Sequence, residues 1–123
     1  MTEELEFSPE LTALERAVLD AALAPETGDN ASFRAQVAAA VVSVRTPSGV
    51  GFMTKLNVPE ALSVADRPAH DSLAVVIGVH PDLPSGAEFV LQVKGGRIST
   101  IEAFCYEGMW PQDEVPFRVE VRP

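Results

Sequence analysis

Hydrophobic and polar residues change their spacing near residue 40, and that change divides the chain into a helical first third and a stranded remainder. Leu11, Leu14, Val18 and Ala22 fall three and four apart, and Leu19 and Leu23 widen the stripe; this is the spacing of one apolar helix face. Ser8-Pro9-Glu10 stands ahead of it as a helix start, with a hydroxyl for the cap, proline in the first turn and an acid at the positive end of the dipole. Pro25 stops the helix. The turn formers of residues 25–30 lead into a second short helix near residues 32–39, with Phe33, Val37 and Ala40 on its buried side.

Beyond residue 40, β-branched and aromatic residues gather in short runs separated by Pro and Gly, the mark of strands. Residues 41–46, the turn Pro47-Ser48-Gly49 and residues 50–58 form a first hairpin. Residues 73–79 are a near-continuous apolar run, which predicts a central strand covered on both faces or nearly so. Residues 89–93 and 98–106 flank Lys94-Gly95-Gly96-Arg97, where two glycines supply the positive φ angles of a tight turn. In the final strand, residues 116–122, Phe117, Val119 and Val121 alternate with Arg118, Glu120 and Arg122, a pattern with one wet face that suits a sheet edge. Between them, residues 59–72 form a long irregular stretch with room for one helical turn near residues 60–64. The expected architecture is α+β: two N-terminal helices packed on one face of a mostly antiparallel five- or six-stranded sheet, in one domain of 123 residues with residues 1–7 flexible.

Composition narrows the function classes. Hydrophobic residues make up 46% and charged residues 22%, which places the chain among folded globular domains. No apolar run is long enough to cross a bilayer. The acidic start, without the basic and apolar regions of a secretory signal, predicts a cytoplasmic protein. Eighteen acids against nine bases give a net charge of −9, which argues against binding nucleic-acid phosphates or anionic lipid. Residues 1–30 hold eight of the acids and Arg16 as their one base, a charge of −7, so the other 93 residues carry −2. Such a cluster keeps a small protein soluble and can also steer a basic protein partner.

The chemistry-bearing residues form no catalytic signature. The glycines at 49, 51, 95 and 96 fit neither phosphate-binding loop pattern. His70 beside Asp71, His80 before Asp82, and Cys105 have no diagnostic metal-ligand spacing, so no metal, cofactor or catalytic residue is expected. His80-Pro81-Asp82 has the composition of a strand exit, and Cys105, inside a strand pattern, is a small buried hydrophobe and forms no internal disulfide.

Glu102 stands out because its environment depends on hairpin register. A two-residue Gly95-Gly96 loop puts it opposite Phe89, on the face of Phe89 and Phe104, where a carboxylate must be paired, hydrogen-bonded or protonated. A slip of one places it opposite Val90 and in water. Tyr106, Met109 and Trp110 follow at a strand exit, as an interaction patch or as a lid over the core.

Gly49-Val50-Gly51-Phe52 with Thr54, Gly86-Ala87-Glu88-Phe89, Gly96-Arg97-Ile98, Glu102-Ala103-Phe104 with Tyr106, and Trp110-Pro111 together resemble a family of small bacterial proteins of uncharacterised function. Its members carry G-V-G-F-x-T, G-A-x-F and E-x-F-x-Y…W-P motifs, and the likeness spans residues 11–115. This chain has Gly95 where the family's turn more usually has aspartate, and Ala103 where glycine follows the glutamate. The resemblance implies a shared α+β fold, directs attention to Glu102, Tyr106 and Trp110, and implies no activity. Three readings follow. The first is a non-catalytic protein-interaction module, immunity-like or regulatory, with a basic partner. The second is a ligand-binding or enzymatic cone similar to the nuclear-transport-factor-2 fold, with Glu102 in its pocket. The third is a structural homodimer joined through sheet faces.

Overall fold

The computed structural model describes residues 10–24, 30–65 and 70–121. Helices α1 (Ala13–Ala22) and α2 (Asn30–Ala39) precede strands β1 (Val41–Pro47), β2 (Gly51–Asn57), β3 (His70–His80), β4 (Leu83–Lys94), β5 (Arg97–Cys105) and β6 (Arg118–Val121), with a 3₁₀ turn at Glu60–Leu62. The strands form one antiparallel sheet in the order β1-β2-β5-β4-β3-β6. The expected α+β class and six-stranded sheet are both present, and β6 lies at an edge.

Period-two alternation decides which side of the sheet the helices take. Along β4, Ala87, Phe89, Leu91 and Val93 are buried. Their cross-strand neighbours on the same face are Ala103 and Ile101 of β5 and Val76 of β3. Leu14, Val18, Leu19, Ala22 and Leu23 of the α1 region and Phe33 of α2 complete this cluster. Burying side chains of this size contributes about 1.5–3 kcal/mol each, so the core is the main stabilising term. The alternate residues Val75, Ile77, Val90 and Phe104 point to the opposite side, which no described helix covers, and are half-buried. Over residues 74–79 the apolar run therefore has one face covered by the described helices, where coverage on both faces or nearly so was expected. β3 lies next to the edge strand β6 and under α1 on one side alone.

The first helix begins later than its proline suggests. Thr12 is the N-cap: its hydroxyl accepts from the Glu15 amide at 3.0 Å, and Glu15 Oε1 accepts from the Thr12 amide at 2.8 Å. This reciprocal capping box satisfies two amides that a helix start leaves without partners. Ser8 and Pro9 lie outside the described residues, as do residues 1–7.

The capping carboxylate does more than cap. Glu15 is 1% exposed and accepts from Arg45 Nε at 2.8 Å, Arg45 Nη2 at 2.7 Å and Thr54 Oγ1 at 2.6 Å. Arg45 and Thr54 are cross-strand partners on β1 and β2, so one carboxylate joins α1 to two strands. Burial alone would raise its pKa. The hydrogen bonds from Arg45, Thr54 and the Thr12 amide, with the Arg45 charge, outweigh burial and hold the carboxyl below its usual range.

Gln36 fixes the second helix in the same way without charge. It is fully buried; Nε2 donates to the carbonyls of Leu62 (2.8 Å) and Gly96 (2.9 Å), and Oε1 accepts from the Ile98 amide (2.8 Å). The β4–β5 turn is pressed against the chain at Val64, whose amide donates to Gly96 O at 2.8 Å. Gly96 has φ +77°, and a Cβ there would stand 2.1 Å from Val64 O. Gly95 has φ +61° and open space around it.

Two outcomes follow. Glu15→Ala leaves Arg45 beside an apolar gap and lowers unfolding free energy by about 3 kcal/mol. Because the folded-state pKa of Glu15 is depressed, its contribution is present above the unfolded carboxylate pKa and is lost as pH falls through the folded one. Urea melts across a pH series are expected to show a shallower acid slope for Glu15→Gln than for the unchanged chain. Gly95→Ala costs about 1–2 kcal/mol for its left-handed backbone, whereas Gly96→Ala adds a backbone clash and costs distinctly more in the same melts.

Candidate functional site

The residues singled out by sequence separate into two groups, on either side of the β5–β6 connection. Trp110 belongs to the core. Its ring stacks on Phe117 at 5.1 Å between centroids and meets Phe52 (5.5 Å) and Phe89 (5.8 Å) edge-on, arrangements that aromatic quadrupoles favour. Its Nε1 donates to Glu114 Oε2 at 2.9 Å, and its amide donates to Gly49 O. Gly78 leaves room for this plug, since a Cβ there would stand 2.6 Å from the Phe89 ring and 3.2 Å from Phe117. Trp110 is thus a lid over one end of the core.

His80 locks the same end. It is 4% exposed and meets the Phe117 ring edge-on at 4.8 Å. The Asp82 amide donates to Nδ1 at 3.0 Å, so the ring proton sits on Nε2 and is donated to the Asp113 carbonyl at 2.8 Å. Both ring nitrogens of this neutral imidazole are spent on backbone groups. Cys105 is buried, and its thiol donates weakly to Gly108 O at 3.7 Å; the distance from this group to His80 is bridged by no hydrogen bond among the described residues.

Glu102 lies on the other side. The turn does contain two residues, with Lys94 opposite Arg97 and Val93 opposite Ile98, but pairing then passes from Ile98 to Thr100. Ser99 is an extra residue in β5, a bulge that shifts every later partner by one. Phe89 therefore faces Ala103, and Glu102 stands opposite Val90 on β4 and Met53 on β2. It is exposed, on the helix-free face. This register corrects the reading that places Glu102 in a pocket between helices and sheet.

From Glu102 the same face continues along β5 and its exit. Phe104 meets Tyr106 edge-on at 5.7 Å, and Tyr106 is 55% exposed and Met109 69%. A Cβ at Gly49 would stand 3.8 Å from Met109 Cε, which sets Met109 beside the β1–β2 turn and exposed Val50. Across the sheet lie exposed Val44, Met53 and Val79 and half-buried Val75, Ile77 and Val90. Glu102, Phe104 and Tyr106 thus follow one another on one face, Met109 is exposed beside the β1–β2 turn, and Trp110 packs on the core side.

The residues missed by sequence reading are the two buried polar anchors. Thr12-x-x-Glu15 matches the capping-box pattern and could have been found locally. The distant partners of Glu15 and Gln36 lie 26 to 62 residues away along the chain, and no local signal points to them. No helix among the described residues is long and apolar enough to cross a membrane. No family model, curated protein or solved structure matches this chain.

The division between lid and surface is measurable. Trp110→Ala is expected to cost about 3 kcal/mol by opening the aromatic plug. Met109→Ala and Glu102→Gln, both at exposed positions, are expected to stay within about 0.5 kcal/mol of the unchanged chain. Chemical unfolding followed by circular dichroism separates the two classes.

Proposed function

We propose that this chain is a non-catalytic protein-interaction domain that docks through the helix-free face of its sheet, along Glu102, Phe104, Tyr106 and Met109. The observation that carries this reading is the distribution of apolar groups. One face is covered by two helices, while the other, which no described helix covers, presents Val44, Met53, Val79 and Tyr106 at 38–55% exposure around half-buried Val75, Ile77, Val90 and Phe104, with Glu88 between Ile77 and Phe104. An apolar surface of this extent, with aromatic and Met side chains at its rim, has the composition of interface hot spots. The buried polar side chains Glu15, Gln36, Thr54 and His80 support the same reading, because each spends its hydrogen-bonding groups on joining elements of the fold. An immunity-like or regulatory role fits a small domain of this design.

A photo-crosslinking residue introduced at position 102 tests the reading in the native host, with position 32 on the exposed side of α2 as control. The expected result is discrete cross-linked products from 102 and none from 32. An absence of products at 102, or equal products at both positions, would overturn it.

A further inference from the structure

We infer that His80 is a proton-sensitive latch on the aromatic lid: when its ring takes up a proton, the β5–β6 connection is released from β3. The latch is set by which ring nitrogen holds the proton. Nε2 carries it and donates it to the Asp113 carbonyl at 2.8 Å, while Nδ1 accepts from the Asp82 amide at 3.0 Å. A second proton has one place to go, Nδ1. Protonation there turns the acceptor into a donor, since both nitrogens of imidazolium are donors. Two N–H groups then face one another across 3.0 Å, and the Asp82 amide loses its partner. The ring is 4% exposed, so a charge placed on it with the lid shut is also cut off from water.

Nothing that touches the ring offsets such a charge in the closed state. Among the described residues its partners are two backbone groups and the edge of the Phe117 ring. Carboxylates lie near but are turned to other work or to solvent. Asp82, in the turn after β3, is exposed. In the connection, Asp113 Oδ1 accepts from the Val115 amide at 3.1 Å and Glu114 Oε2 from the Trp110 indole at 2.9 Å. Glu88 of β4 and Glu120 of β6 pair with Ile77, and Arg118 pairs with Val79, so these three belong to the opposite face. Helix α1 shows Arg16 and Asp20 to solvent and spends Glu15 on Arg45 and Thr54. Once the connection lifts, the imidazolium gains water and the attraction of Asp82 and Asp113. A closed neutral state and an open charged state result, and acid favours the second.

The latch acts on the lid through the way the connection is seated. Phe117, edge-on to His80 at 4.8 Å, is stacked on Trp110 at 5.1 Å, and Glu114 beside Asp113 holds the indole N–H. Freeing Asp113 therefore loosens the two residues that keep Trp110 against Phe52 and Phe89. Exposed Tyr106 and Met109 precede Trp110 in the same connection, so the release reaches the surface at the β5 exit as well. The response of Glu15 is separate, because its carboxyl is held below the usual carboxylate range and fails at lower pH.

The test follows two signals of the full chain between about pH 7.5 and about pH 5, the range in which imidazole ordinarily titrates. NMR of the imidazole nitrogens reports the charge of His80, and deuterium exchange of the indole proton reports the seating of Trp110. Indole protection is expected to fall as the ring becomes charged, by up to about tenfold per pH unit for a latch that takes up one proton. His80→Gln keeps a donor and an acceptor but takes up no proton, and is expected to flatten that dependence. His70→Gln, at the start of β3, is expected to retain it. Protection that is constant over the range, or that falls equally in His80→Gln, would overturn the inference. So would a ring that becomes charged while the indole proton stays protected. Where His80→Gln does not fold, the joint titration of the unchanged chain decides alone.

Discussion

The carboxylate of Glu15 settles how the helical layer meets the sheet. It caps α1 through Thr12 and receives two guanidinium hydrogen bonds and one hydroxyl from adjacent strands, all while 1% exposed. A buried ion pair contributes little net stability over a well-packed apolar alternative, because desolvation offsets the Coulombic gain. It is, however, intolerant of misplacement: shifting α1 by one turn would leave a charged group buried without a partner. Its role here is one of specificity, and the apolar stripe supplies most of the energy. Gln36 repeats the device for α2 at the β4–β5 turn, where an uncharged amide suits turn carbonyls and a strand amide.

These two anchors commit both helices to one face. The alternation of β4 and β5 then leaves Val90, Phe104 and Glu102 on the opposite side, and the aromatic plug around Trp110 closes the end of the core beneath the β5 exit. Covered and uncovered faces are therefore consequences of one arrangement. What the chain offers to a partner is set by where its helices are pinned.

Much of this is legible in the order of residues. The change of period near residue 40 separates helices from strands, and the Gly95-Gly96 turn locates the central hairpin, because spacing and turn chemistry are local properties. The environment of Glu102 is not local. It depends on Ser99 being left out of the β4–β5 pairing, a bulge that no residue near the turn announces, and one skipped residue moves the carboxylate from the core face to water. The partner of Glu15 was equally hidden, since Arg45 reads as an ordinary strand residue until the fold brings its guanidinium to the Glu15 carboxylate. The length of β4 was underestimated for a related reason: Pro84 and Gly86 look like turn residues, yet the strand starts at Leu83, with Gly86 at φ +75° where Gly78 of β3 passes close by.

The most direct test of a covered face and a docking face is the accessibility of methyl groups to a soluble paramagnetic probe, read by NMR in dilute solution. The account predicts that Val18, Leu19 and Ile101 stay shielded throughout. Met53, Val75, Ile77 and Val90 would be strongly broadened. Shielding of that second group to the level of Val18, Leu19 and Ile101 would contradict the uncovered face itself.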